Sequence, residues 1–388
     1  DLLVLTHILS IEDCIDAVDV ETICILVGMM LLVAVIKNSG IFEYIAIKAA
    51  KIAKGRPWPI MVIFILITAV CSGMLDNVTT VLLVGPMTLA ITNILKVDPV
   101  PYIITQIMAS NIGGTATLIG DPPNIMIGSA AKLSFVDFIL NTGVATVFVI
   151  IVGLICMYFI YGRKLFVTDE SIAKVMQLDE NKAIKDRKLM HESVIVIILV
   201  ALCFIFHDQL GVQSCTVAIA AACIMLLIGG QEPEEIIADV EWPTILFFIG
   251  LFIVVGGMKK VGVITMLANG LISITHGNMV VTMMVILWVS AIVSSFLDNI
   301  PFVATLIPMI LTMQSEGMDV APIWWALSLG ACLGGNGTLI GASANVVLSG
   351  ISKNNGHPIT FGQYFKIGFP MMILSIIVCS VFLLIRFA

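Results

Sequence analysis

The chain has 388 residues, of which 59% are hydrophobic and 12% are charged, and its mean hydropathy is +1.11. Soluble domains carry about a quarter charged residues, so this composition excludes a soluble protein. The net charge of −7 is spread over loops and gives no reason to expect a nucleic-acid partner. The apolar runs are long and do not alternate as the strands of outer-membrane barrels do, so they predict an all-α polytopic protein of the lipid bilayer.

The sequence contains none of the signals expected of an enzyme or an ATP-driven pump. Its nine cysteines are scattered without a Cys-x-x-Cys pair, and we interpret them as small apolar helix residues. No Gly-x-x-x-x-Gly-Lys-Ser/Thr loop and no nucleophile–base pair occur. We therefore expect no enzymatic activity and no cofactor. The energy for moving a small ion or molecule would come from an ion gradient or from the substrate's own gradient.

The predicted membrane segments, in chain order, are 22–37, 59–95, 101–131, 139–161, 192–207, 212–229, 242–258, 279–312, 322–350 and 367–386. Segments 59–95 and 279–312 each carry an Asp-Asn pair near the middle. A helix needs roughly twenty residues to cross the hydrocarbon, and each half of these two segments is at or below that length. A re-entrant hairpin with its tip near mid-membrane is therefore preferred to two full spans.

The chain repeats itself with a nearly constant offset. Chance similarity between Leu-rich helices would not keep Asp, Asn and Gly in step, so the pattern indicates an internal duplication. The repeated strings are Asp-Val-Glu at 19–21 and 239–241, Leu-Asp-Asn at 75–77 and 297–299, and Thr-Leu-Ile-Gly at 117–120 and 338–341.

The number of spans between the two Asp-Val-Glu strings is odd, also when the hairpin counts as two spans. The two halves are therefore predicted to be inverted in the membrane, an architecture associated with alternating access. We expect a first repeat at 1–161, a linker at 162–190 and a second repeat at 191–388. Because the first ten residues align with the end of segment 212–229, the first helix is expected to be incomplete.

The basic residues favour one orientation in the membrane. Of the 19 Lys and Arg residues, 15 fall on the side of the linker and 4 on the other side. Cytoplasmic loops of membrane proteins are enriched in Lys and Arg. The linker is therefore predicted to be cytoplasmic, in a protein of the plasma or inner membrane.

The two Asp-Asn pairs are the first candidate site. A carboxylate deep in an apolar segment is costly and is rarely placed there without a function. A re-entrant tip also exposes backbone carbonyl and N–H groups, which can replace the hydration shell of an ion. The alternative is an Asp that caps a half-helix, and both roles can coexist. The candidate residues are Asp76, Asn77, Thr79, Thr80, Asp298 and Asn299, with Na⁺ expected at the two Asp-Asn pairs.

The second candidate element is a helix that must break. Paired glycines and then two prolines follow Asn111, and proline inside a helix removes a hydrogen bond and clashes with the preceding turn. The segment is predicted to unwind and to line a polar cavity. The alternative is an interfacial turn after a span that ends near Ile119, which makes Asp121 a weaker candidate than Asp76 or Asp298. The candidates are Asn111, Thr115, Thr117, Asp121 and Asn124 in the first repeat and Asn336, Thr338, Ser343 and Asn345 in the second.

The segments that hold these candidates contain no basic residue. Neither Lys nor Arg occurs in 57–95, 97–131 or 261–352. Carboxylates and neutral hydrogen-bonding groups favour Na⁺, H⁺ or a neutral solute, and they leave an anion to be held by helix N-termini or by a co-bound cation. An ion channel is a further alternative, although inverted repeats with broken helices favour a transporter.

At these strings the chain resembles the ArsB/NhaD permease group of the ion-transporter superfamily, which includes the melanocyte P protein and has a citrate-transporter-like domain. The resemblance is densest at 75–80, 109–124 and 296–301. It implies that the two Asp-Asn pairs occupy hairpin tips at which related carboxylate transporters bind Na⁺ and substrate. It also implies a homodimer with a scaffold part and a mobile part that works by an elevator-like movement.

The resemblance leaves the cargo open among arsenite, Na⁺ and H⁺, and organic or inorganic anions. Arsenite exporters do not keep the Gly-Asp-Pro-Pro-Asn run found at 120–124, which counts against arsenite. We expect cation-coupled ion transport, with sodium–proton antiport ahead of anion or arsenite movement.

Overall fold

The computed structural model describes residues 2–388, apart from the side chains of Leu2, His207, Asp208 and Leu210. Within these residues all regular structure is helical and no strand occurs. The first half contains α1 (Leu2–Leu5), α2 (Ile11–Asp16), α3 (Val20–Lys37), α4 (Ile41–Ile52), α5 (Pro57–Met74), α6 (Asn77–Leu95), α7 (Val100–Thr115), α8 (Pro122–Ala131), α9 (Phe135–Phe138), α10 (Val144–Ile160) and α11 (Asp169–Met176). The second half contains α12 (Arg187–Leu210), α13 (Ser214–Ile228), α14 (Pro233–Ala238), α15 (Trp242–Lys260), α16 (Val263–Thr275), α17 (Met279–Phe296), α18 (Asn299–Ser315), α19 (Ala321–Gly334), α20 (Ser343–Asn354) and α21 (Phe361–Phe387).

Eight helices among the described residues are long and apolar enough to cross a membrane, and all overlap predicted segments. They are α3, α5, α6, the continuous helix from α9 to α10, α12, α15, α17 and α21. Two shorter helices, α4 and α16, were not predicted. In α4 the charged residues Glu43, Lys48 and Lys51 interrupt the apolar pattern, which suits a helix along the membrane surface better than one across it.

Two ion pairs show that the repeats run in opposite directions. Lys37, at the end of α3, pairs with Asp239, just before α15, at 2.7 Å. At the opposite end of the same two helices, Lys260 pairs with Asp13 at 2.6 Å. Helix α3 is therefore antiparallel to α15, its counterpart in the second repeat. The predicted fold class, an all-α polytopic membrane protein with two inverted-topology repeats, is confirmed.

Close approach of helices depends on glycines at equivalent positions. A Cβ atom added at Gly113 in α7 would lie 2.1 Å from the carbonyl oxygen of Ala69 in α5. A Cβ atom at Gly334 in α19 would lie 2.7 Å from the carbonyl oxygen of Ala291 in α17. Each hairpin thus packs its first arm directly against the backbone of its own broken helix.

The predicted linker contains regular structure. Helix α11 lies within it and packs against α4 and α6, on the side of the membrane where α3 ends. Helix α12 begins at Arg187, a few residues before the predicted end of the linker at 190. The reason is that the Asp186 carboxylate accepts hydrogen bonds from the N–H groups of Lys188 and Leu189 and so caps the helix.

Candidate functional site

Both hairpin-tip carboxylates cap the helix that follows them. Asp76 accepts a hydrogen bond from the Thr79 N–H at 3.0 Å, and Asp298 accepts one from the Ile300 N–H at 3.1 Å. The other carboxylate oxygen of Asp298 accepts a bond from the exposed Ser343 hydroxyl at 2.8 Å. The capping role considered from the sequence is therefore present at both tips. It places two negative charges at half-helix N-termini, and ion binding by the same carboxylates stays a prediction.

Both predicted helix breaks are present, and one asparagine closes each of them. The first unwound stretch lies between α7 and α8, where the side-chain N–H of Asn124 donates to the carbonyl of Thr117 at 2.9 Å. The second lies between α19 and α20, where Asn345 donates to the carbonyl of Thr338 at 2.9 Å. These bonds give partners to carbonyls that the broken helix leaves free. The two asparagine N–H groups therefore serve the backbone in this conformation.

The two threonines of the unwound stretches tie them to the hairpins. The Thr117 hydroxyl donates to the carbonyl of Gly73 at 2.5 Å, at the end of α5. The Thr338 hydroxyl makes the equivalent bond to the carbonyl of Ser295, at the end of α17. Both threonines were predicted to line an ion site. Their hydroxyl hydrogens point to backbone oxygens, which holds each tip beside its own break.

Two serines complete this framework, and they were missed in the sequence. The Ser72 hydroxyl donates to the carbonyl of Ser110, and the Ser294 hydroxyl donates to the carbonyl of Ala331, each at 2.6 Å. Both serines are fully buried. The signal was available, because each serine stands three residues before a Leu-Asp-Asn string.

Asn111 joins the two repeats at the centre of the molecule. Its side-chain N–H group donates to the side-chain oxygens of Asn336 and Asn345, both at 2.9 Å. All three residues are buried and come from both broken helices. Its own side-chain oxygen has no hydrogen-bond partner among the described residues. An unpaired buried acceptor is costly, so this oxygen is suited to a cation or to a donor on the cargo.

A second contact across the repeats involves residues that the sequence did not single out. The side-chain oxygen of Asn124 accepts bonds from the Ser328 hydroxyl at 2.6 Å and from the Cys332 thiol at 3.5 Å. Cys332 occupies the position in α19 that Asn111 occupies in α7. The two equivalent positions thus make equivalent contacts, with a strong donor in one repeat and a weak one in the other.

Asp121 is enclosed more fully than its sequence context suggested. Only 1% of its surface is exposed, and its two carboxylate oxygens accept bonds from the side-chain N–H of Asn299 at 3.3 and 3.2 Å. It also interacts electrostatically with Asp298 and Asp76. The first broken helix and the tip of the second hairpin are therefore in direct contact, and three carboxylates share one region.

The remaining candidates lie at the border of this region. The Thr115 hydroxyl donates to the carbonyl of Asn111 at 2.7 Å, within its own helix. Asn77 is buried at the first tip, and Thr79 is half-buried. The buried Thr80 hydroxyl has no hydrogen-bond partner within the described part of the chain. Thr80 and Asn111 thus both present an unpaired buried polar atom.

A cleft reaches the first broken helix from the side where α3 begins. Its volume is about 450 Å³, and Leu118 of the unwound stretch lines it together with Glu21 and Lys132. Among the described residues no group of three or more His, Cys, Asp or Glu side chains is placed to hold a metal ion. The region offers carboxylate, amide and hydroxyl oxygens, and oxygen is the ligand that hard cations prefer.

A family model described as Citrate transporter matches residues 1–330. The chain belongs to the citrate transporter family. An uncharacterized transporter of Mycobacterium tuberculosis is 42% identical to it over 374 residues, which is 95% of this chain and 87% of the relative. The P protein of Homo sapiens is 32% identical over 456 residues, which covers 97% of this chain and 54% of that protein.

The fold also has a solved counterpart. The YdaH transporter of Alcanivorax borkumensis, described as having an unusual topology, matches with a TM-score of 0.62. The match covers 92% of this chain and 84% of that chain at 14% identity, which is a likeness of fold alone. The resemblance to the ion-transporter superfamily is confirmed, and this member of the citrate transporter family is an integral membrane transporter and not an enzyme.

Proposed function

We propose that this transporter moves ions by secondary transport coupled to Na⁺ or H⁺, with sodium–proton antiport as the preferred reaction. The coupling ion binds at Asp76 and Asp298, beside Asp121. The hairpins and broken helices carry the site across the membrane in an elevator-like movement against α3 and α15, within a homodimer.

The observation that carries this proposal is the charge of the central region. Three carboxylates interact there, and the segments that form it contain no Lys or Arg. Carboxylates that are close together in a low-dielectric site cannot all remain ionised without a counter-charge. A bound Na⁺ or proton supplies that charge. The unpaired oxygen of Asn111 adds a neutral ligand of the kind that Na⁺ accepts.

The contact between Asp121 and Asn299 supports coupling between the repeats. Asn299 belongs to the second hairpin tip and Asp121 to the first broken helix. Ion binding at Asp121, or at Asp298 next to Asn299, would change the contact between these two elements. A proton on Asp121 would remove an acceptor from Asn299. Competition between Na⁺ and H⁺ for the same carboxylates is the minimal requirement of an antiporter.

The second candidate is transport of an organic anion together with a cation. The match to a family model described as Citrate transporter favours it. A polycarboxylate that enters a region with three carboxylates and no Lys or Arg needs a cation beside it. A channel and arsenite movement stay as weaker alternatives.

The test is transport by the purified protein in proteoliposomes under imposed Na⁺ and pH gradients, with an internal pH dye and with labelled citrate as separate readouts. Asp76→Asn and Asp298→Asn keep the size and the capping oxygen of the side chain but remove its charge. We expect each to lower coupled flux at least about tenfold, since bonds to a charged group contribute about 1.5–3 kcal/mol. Asp98→Asn is the matched control, because Asp98 also caps a helix, through the Val100 N–H at 3.0 Å, but lies outside the site.

Each readout separates the candidates. Proton flux driven by Na⁺ without an added anion supports antiport. Citrate uptake that requires Na⁺, H⁺ or a divalent cation supports the second candidate. Normal flux in both Asp76→Asn and Asp298→Asn would show that these carboxylates do not bind the coupling ion. Flux that neither saturates nor depends on a counter-ion would indicate a channel.

A further inference from the structure

Helix α4 connects α3 to the first hairpin through two left-handed joints. Gly40 precedes α4 with a φ of 83°, and Lys54 and Gly55 follow it with φ of 54° and 65°. L-residues other than glycine rarely adopt such angles, so these positions mark sharp turns of the chain. Hinges between moving parts are formed by a few residues at element ends that absorb backbone rotation. The two joints therefore have the position and backbone geometry of possible hinges.

Helix α16 connects α15 to the second hairpin through equivalent joints. Gly262 precedes α16 with a φ of 80°, and His276 and Gly277 follow it with φ of 52° and 66°. A Cβ atom added at Gly262 or Gly277 would meet no described atom within 4 Å. The joints of α16 are therefore uncovered in the described structure.

The joints of α4 are covered by the segment between the repeats. We call residues 162–186 the strap. A Cβ atom at Gly40 would lie 2.1 Å from the carbonyl oxygen of Ala183, and one at Gly55 would lie 3.0 Å from Cγ2 of Ile172. The strap thus passes over both ends of α4. Among the described residues, no equivalent segment covers the glycines of the α16 joints.

Three further contacts fasten the strap between the joints. The Lys185 N–H donates to the carbonyl of Ser39 at 3.0 Å, next to the first joint. The Lys51 ammonium of α4 pairs with Glu180 at 2.5 Å and holds the pKa of that carboxyl below its usual range. Val175 of the strap is fully buried in an apolar cluster that also contains the alanines of α4. Covalent continuity alone would not require this set of contacts.

We propose that the strap is a conformational restraint on α4, which keeps the first hairpin from pivoting until the strap releases. Within the described residues, no segment holds α16 and the second hairpin in this way. This inference rests on the proposed elevator-like movement, because a pivot has a use only if the hairpin moves. The strap would make the movement of the transporter responsive to events on the linker side of the membrane.

The first test is hydrogen–deuterium exchange on the full chain in lipid nanodiscs. Glu180→Gln removes the ion pair to α4, and Val175→Ala loosens the apolar contact. We expect each to speed amide exchange in α4 and its joints by up to about fivefold, the range of a partly exposed ion pair or a small packing loss. The matched control is Glu170→Gln, since Glu170 pairs at 2.7 Å with Lys174 of the same helix and leaves the hold on α4 intact. Unchanged exchange in α4 in both test variants would overturn the proposal.

The second test fixes the strap in place. A protein with Lys51→Cys and Glu180→Cys is joined by a short bis-maleimide, and each single variant treated with the same reagent is the control for the native cysteines. We expect turnover to fall at least tenfold while the affinity for the coupling ion stays unchanged. Normal turnover of the joined protein would show that the strap rides with α4 and restrains nothing.

The two tests separate this inference from the proposed function. If neither Na⁺ nor H⁺ drives transport, the exchange contrast between the test variants and Glu170→Gln is still measurable and still decides whether the strap restrains α4. If Na⁺ or H⁺ drives transport as proposed but amide exchange in α4 is the same in the wild type and the test variants, only the inference about the strap is wrong.

Discussion

The two repeats share the bonds that break their helices and differ in the residues around those breaks. Ser72 and Ser294 donate to equivalent carbonyls at the same distance of 2.6 Å. Asn124 and Asn345 close the two unwound stretches with the same distance of 2.9 Å. Features present in both repeats therefore satisfy backbone groups that any broken membrane helix leaves unpaired.

The differences lie where the repeats touch each other. The second repeat has Ala342 where the first has Asp121, and it has Cys332 where the first has Asn111. Both residues of the first repeat donate or accept across the repeat boundary. The duplicated serines and asparagines thus build the fold, while Asn111 and Asp121, which are not repeated, form contacts between the two repeats.

The largest loss of stability is expected from substitutions of the glycines at which each hairpin contacts its broken helix. Gly113→Ala is expected to destabilise the protein by about 3 kcal/mol or more, because the new Cβ would lie 2.1 Å from a backbone oxygen that cannot move freely. Gly334→Ala, with a closest distance of 2.7 Å, is expected to cost about 1–2 kcal/mol. Thermal unfolding in detergent, followed by the loss of the monodisperse fraction, measures both.

The control for these variants is Gly250→Ala, because a Cβ there would meet no described atom within 4 Å. Its unfolding midpoint should match the wild type. Equal tolerance of alanine at Gly113 and Gly250 would show that the repeats do not need close contact between hairpin and broken helix.

The difference between the repeats, Asp121 in the first and Ala342 in the second, is tested by comparing substitutions of Asn77 and Asn299 at the two hairpin tips. Asn299→Ala removes the donor to Asp121 and leaves a buried carboxylate short of a bond, which is expected to cost about 1–3 kcal/mol. Asn77 is its equivalent, and it faces a repeat that has Ala342 in place of the aspartate. Asn77→Ala should therefore cost less.

A double-mutant cycle confines the difference to one contact. Asp121→Ala combined with Asn299→Ala should show a coupling of about 1–2 kcal/mol in unfolding, and Asp121→Ala combined with Asn77→Ala should show a much smaller one. Equal coupling in both cycles would mean that Asp121 acts on the whole region rather than through Asn299.

Much of the fold could be predicted because its signals are local. Paired glycines followed by two prolines predict the break after α7, and the recurrence of Asp298 after Asp76 identifies the duplication. The odd number of spans between the two Asp-Val-Glu strings then predicts that the repeats are inverted, without any knowledge of packing. Helix α4 was missed because its charged residues interrupt the hydropathy of a span, and α16, which is apolar, was missed because its 13 residues are too few to cross the bilayer.

The arrangement of the site could be predicted only in part. A threonine or an asparagine near a helix break can face a cavity or satisfy a freed carbonyl, and its sequence context is the same in both cases. Thr117 and Asn124 are directed to the backbone, whereas the oxygen of Asn111 is left open. The bond between Asn111 and Asn345 joins residues far apart in the chain, and periodicity does not say which helix faces meet.

The smallest effect is expected at the ends of α3 and α15, where the inversion is visible as two ion pairs. The hydrogen bond from Lys260, with those from Ser10, lowers the pKa of Asp13 from 3.8 to about 2.

A carboxyl whose pKa is lowered by folding stabilises the folded state above its unfolded pKa and loses that contribution as the pH falls through the folded value. The contribution of Asp13 should therefore be constant above about pH 5 and be lost progressively between about pH 5 and 1. Unfolding midpoints of the wild type and Asp13→Asn should differ slightly at neutral pH, less in high salt because the pair is partly exposed, and much less near pH 2 than at neutral pH. A difference that persists unchanged at pH 2 would show that Asp13 acts through packing of α2 rather than through its charge.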